Sequence, residues 1–61
     1  MKTAGETYDS MVRALGKSVD KDYASKRIGI YNRALAKCGR NATRERLLIE
    51  VDKIDRDAPC R

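Results

Sequence analysis

Histidine is missing from this sequence. With it go the commonest general base, the Ser–His and Cys–His nucleophile pairs and the imidazole metal ligands. Its two cysteines, Cys38 and Cys60, cannot build a four-thiolate zinc site. Glycines 5, 16, 29 and 39 stand alone, so no glycine-rich loop is present to cradle a phosphate. The carboxylates beyond residue 44 are interleaved with arginines and lysines, and are expected to be ionised ion-pair partners, not acids tuned by a dry pocket. Together these absences point away from an enzyme, and neither cofactor nor metal is expected.

Tryptophan and phenylalanine are absent too, which leaves three tyrosines as the aromatic contribution to the core of a 61-residue chain. A domain of that size buries only about 60% of the surface its unfolded form exposes. The large apolar side chains available are Tyr8, Met11, Val12, Leu15, Val19, Tyr23, Ile28, Ile30, Tyr31, Leu35, Leu47, Leu48, Val51 and Ile54. So small a set makes dimerisation a natural way to complete the core. No stretch approaches the ~20 apolar residues of a membrane span, and "MKTAGETYDS" lacks the apolar run of a secretory signal. A cytoplasmic location is expected, with Cys38 and Cys60 as free thiols and no membrane partner. In a helical hairpin the two cysteines lie at opposite ends, so a bridge between antiparallel protomers is easier than one within the chain.

What is present is helical periodicity. Thr3 with Glu6 forms a capping box, and Ala4, Tyr8, Met11, Val12 and Leu15 recur on one face before Gly16, which the spacing places as a left-handed stop. Ser18 and Asp20 are candidate caps for a second helix whose seam is Ala24, Ile28, Tyr31, Leu35 and Cys38, closed by Gly39. Asn41 or Thr43 can cap a third, with Leu47, Leu48, Val51 and Ile54 on its apolar face. No segment alternates at period two. The expectation is one all-α domain over residues 1–61, a small antiparallel three-helix bundle with helices at about 4–15, 21–38 and 43–57. In such a hairpin, residues of helices 2 and 3 whose numbers sum to about 82 share a level.

Charge is uneven. Against a net +5, residues 23–44 carry Lys26, Arg27, Arg33, Lys37, Arg40 and Arg44 without one carboxylate, a block that attracts anionic surfaces. On a helical wheel of about 100° per residue, Lys26, Arg33 and Lys37 line up as a basic row. Opposite the apolar seam, Ser25, Gly29, Asn32 and Ala36 form a strip of small residues. Mid-helix glycine costs about 1 kcal/mol against alanine, and close approach of a partner would explain it. Arg27 falls inside the apolar arc, where an unpaired guanidinium is costly. The level relation points to Asp55 as its structural ion-pair partner; the functional alternative is an anchor at an interface. In helix 3, Arg46 with Glu50, Asp52 with Arg56 and Lys53 with Asp57 read as i,i+4 pairs on a solvated face, with Ile49 exposed.

The run "ALAKCGRNATRERLL", residues 34–48, is similar to the first helix and turn of the Fis-type helix-turn-helix over about a quarter of the chain. Where that family turns into a basic recognition helix, this chain continues "IEVDKIDRD", so no function follows from the likeness.

Two functions are consistent with the residues. The first is a small protein-binding regulator or inhibitor that docks Ser25, Lys26, Gly29, Asn32, Arg33, Ala36, Lys37 and Arg40 on an acidic protein partner. Small chains without catalytic residues are commonly such accessory factors, including those encoded by phages and plasmids. The second is a nucleic-acid-binding protein that uses Lys26, Arg33, Lys37, Arg40 and Arg44 as phosphate contacts. The interleaved acids of helix 3 and tyrosines directed to the core weigh against the second.

Overall fold

A computed structural model describes residues 2–57, and the expectation for Cys60 lies outside them. The chain forms α1 (Ala4–Leu15), α2 (Lys21–Cys38) and α3 (Arg44–Asp57), each touching the other two, in a three-helix bundle. No strand occurs among the described residues, only an isolated bridge between Thr3 and Thr43.

Local chemistry starts each helix. The Thr3 hydroxyl accepts from the Glu6 amide at 3.3 Å, and the Glu6 carboxylate accepts from the Thr3 amide at 3.1 Å, completing the capping box of α1. The next two orphan amides are satisfied from the α2–α3 loop. Ala4 donates to the Ala42 carbonyl at 2.7 Å and Gly5 to the Arg40 carbonyl at 3.1 Å. The loop therefore clasps the start of α1 and closes the bundle at that end. Asp20, not Ser18, caps α2 by accepting from the Tyr23 amide at 3.0 Å, and Thr43 caps α3 through the Arg46 amide at 3.2 Å.

Gly39 ends α2 at φ +87°, a conformation open essentially to glycine, with its amide donating to the Leu35 carbonyl at 2.7 Å. Gly16 does not play the matching part at the end of α1. It stays right-handed at φ −62°, because the turn tightens instead, with Lys17 donating to Ala14 at 3.2 Å and Ser18 to Leu15 at 2.9 Å.

A chain of 61 residues has little interior to fill. Full burial is correspondingly scarce. Ala4, Ala34, Leu47 and Val51 form the core cluster, with Tyr8, Met11, Ile30, Tyr31, Leu35, Cys38 and Ile54 packed half-buried around it. Of the large apolar side chains available, Val12, Leu15, Val19, Tyr23, Ile28 and Leu48 stand outside it, Val19 being 99% exposed, Tyr23 54% and Leu48 37%. Val19 sits in the α1–α2 connection, outside any helix.

Glu50 is the converse. Assigned to the solvated face, it is buried, because positions 47, 50, 51 and 54 are all on the face α3 turns inward. Its carboxylate is paired with Arg46 at 2.7 Å, bringing a half-exposed cation to a buried acid. Asp52 and Arg56 are paired, whereas Lys53 and Asp57 do not come within ion-pairing distance.

Candidate docking surface

Arg27 sits where the two long helices meet. Its Nη1 donates to Asp55 Oδ1 at 2.7 Å, and its guanidinium lies 5.3 Å from the centre of the Tyr31 ring. The hydrogen bond to Asp55 raises its already high pKa, partly opposed by desolvation. Its Nε is buried without a partner. A guanidinium held on one side by a carboxylate and on the other by an aromatic ring is fixed in place; this side chain ties α2 to α3. The pair also fixes the level relation between the two helices.

Outward from that contact, the α2 surface divides as its periodicity implies. Ser25, Gly29, Asn32 and Ala36 are all exposed. A Cβ built on Gly29 would meet nothing within 4 Å, so no part of the described chain needs a glycine there. Asn32 is less free than its neighbours, because its Oδ1 accepts from the Tyr8 hydroxyl and so ties the strip's edge to α1. Lys26, Arg33 and Lys37 are exposed, and none is within ion-pairing distance of a carboxylate among the described residues.

Ser25, Lys26, Gly29, Ile30 and Arg33 line an open depression of about 330 Å³ on this side of α2. Its floor is small because Gly29 contributes no side chain. Its rim is cationic and its inner wall is the half-buried Ile30. Such a shape leaves the α2 backbone at Gly29 accessible, with two cations at its rim.

Arg40 does not belong to that surface. Its Nη2 pairs with Asp9 Oδ2 at 3.0 Å, and the guanidinium lies over Gly5, where an added Cβ would come within 3.0 Å of it. Periodicity could not show this, because Arg40 follows the Gly39 turn and takes its direction from the loop that clasps α1. Gly5, not Gly29, is the glycine at which another part of the same molecule comes close.

Lys2, Thr43, Arg44 and Glu45 line a second hollow, of about 280 Å³, at the start of α3. Glu45 partly cancels the two cations there. No group of three or more potential metal ligands is assembled among the described residues. No described helix is long and apolar enough to cross a membrane. The chain matches no protein-family model, no curated protein and no solved structure.

Proposed function

We propose that this protein is a small, non-enzymatic, protein-binding regulator or inhibitor that docks the small, basic flank of α2 on an acidic partner. The observation that carries this reading is the depression around Gly29, rimmed by Lys26 and Arg33, whose charges no carboxylate of the described chain neutralises. Exposed cations without partners keep their attraction for an external anion. A glycine floor lets a partner's main chain approach more closely than any side chain would allow.

Nucleic-acid binding is the competing reading, and two of its five phosphate contacts are compromised. Arg40 is held by Asp9, and Arg44 shares its hollow with Glu45.

The test is capture of partners from the source organism by the wild-type chain and by Gly29→Gln, which fills the depression without changing charge. The reading expects a protein retained by the wild type and lost by Gly29→Gln, with both chains equally helical. A duplex or single-strand DNA shift that is tight and falls steeply and log-linearly with salt would replace this reading with the second.

A further inference from the structure

The face formed jointly by α2 and α3 is divided by charge along its length. Its α2 half carries Lys26, Arg33 and Lys37, all exposed. At about 100° per residue, the α3 half presents Glu45, Asp52 and Asp55, exposed as well, with Arg44 and Arg56 beside them. Between the two halves runs an apolar seam of Tyr23, 54% exposed, the half-buried Ile30, and Leu48, 37% exposed. Acid is not uniform on the α3 half, since Asp52 holds Arg56 and Asp55 holds Arg27. Lys26, Arg33 and Lys37 have no carboxylate within ion-pairing distance among the described residues.

We infer that a second copy of this chain covers this face, related by a two-fold axis parallel to α2 and α3. The inference rests on the docking reading, because it names an acidic surface that the basic row of α2 would meet. A rotation about such an axis exchanges the two halves, so that each α2 lies on the other copy's α3 and apolar seam meets apolar seam.

A pure two-fold along the helices leaves levels unchanged, and the Arg27–Asp55 pair fixes those levels. Lys37 then stands opposite Glu45 of the second copy. Lys26 is one residue from the level of Asp55, and Arg33 is three residues, about 4.5 Å along the axis, from that of Asp52. Each unpaired cation of α2 thereby gains a carboxylate across the interface. Any other axis lying in the face and perpendicular to the helices would set basic row against basic row.

The strip of Ser25, Gly29 and Ala36 points away from this face and stays open, but the basic row does not. Self-association and docking of another acidic protein therefore compete for the same cations, and the dimer holds the docking surface in reserve.

The experiment uses the full chain, with its mass followed by sedimentation from low micromolar to millimolar concentration. The wild type is expected to move from 6.9 kDa to twice that value. Lys37→Glu and Glu45→Lys are each expected to remain monomeric and folded, since each homodimer would carry two like-charge contacts. Mixed in equal amounts, the two variants are expected to dimerise again, because both cross-copy contacts become complementary. No contact within one chain can produce that rescue.

A wild type that is monomeric throughout, a dimer indifferent to both substitutions, or variants that stay monomeric when mixed would each overturn the inference. Partner capture by Glu45→Lys separates it from the docking reading, since that variant keeps the basic row intact. Capture by a chain whose wild type never dimerises leaves docking standing and removes the dimer.

Discussion

Gly5 and Gly29 are both helical glycines, and a methyl group would be received very differently at the two. At Gly29 it would project into open space, whereas at Gly5 it would press on the Arg40 guanidinium. Replacing glycine with alanine in an exposed helix interior stabilises by about 1 kcal/mol, which in a domain this small raises the melting temperature by about 4–8 °C. Gly29→Ala is expected to show that rise in a thermal unfolding experiment followed by circular dichroism. Gly5→Ala is expected to gain less, because the new methyl must displace Arg40 from Asp9. Thr7 offers a second test at this scale. Its side chain is buried and its hydroxyl has no hydrogen-bond partner, so the nearly isosteric Thr7→Val removes an unpaid desolvation cost. A gain on the order of 1 kcal/mol in chemical denaturation is expected. A loss would show that the hydroxyl is satisfied in solution.

Between elements, two devices hold the bundle, and they differ in how far the sequence announced them. The Arg27–Asp55 pair was legible, because helix 2 and helix 3 joined by a short turn must run antiparallel, and that fixes which residues share a level. Removing the carboxylate strands a largely buried guanidinium, and Asp55→Ala is expected to cost about 1–3 kcal/mol in chemical denaturation. Unchanged stability would mean that Tyr31 and solvent suffice to hold Arg27. The clasp of the α2–α3 loop on the first turn of α1 was not legible. It is made of the Ala42 and Arg40 carbonyls receiving the Ala4 and Gly5 amides, and main-chain partners leave no mark in side-chain periodicity. Glu50 was misplaced for a related reason. Polarity alone assigns a glutamate to solvent, but its position on α3 puts it inward, and Arg46 one turn away makes burial tolerable.

For the whole molecule, small size is the governing fact. In a chain of 61 residues few large apolar side chains can be enclosed, and Tyr23, Leu48 and Ile49 remain at least one-third exposed. A fold that cannot enclose its own apolar residues gains from covering them with another chain, and the charge division across α2 and α3 gives that covering a direction. Since its rim contacts are ionic, self-association is expected to weaken as added salt screens them, while the apolar seam limits the loss. The sequence by itself determined the helices, the cap at Thr3, the antiparallel α2–α3 hairpin and the exposed strip on α2, because all of these follow from spacing along one chain, while the choice of Asp20 over Ser18 and of Thr43 over Asn41 came from the structure. Only the tertiary structure decided that Arg40 belongs to α1's clasp and that Gly5 is the point of close approach. Those features depend on the distance and rotation between helices, which packing sets and periodicity within a single helix does not contain.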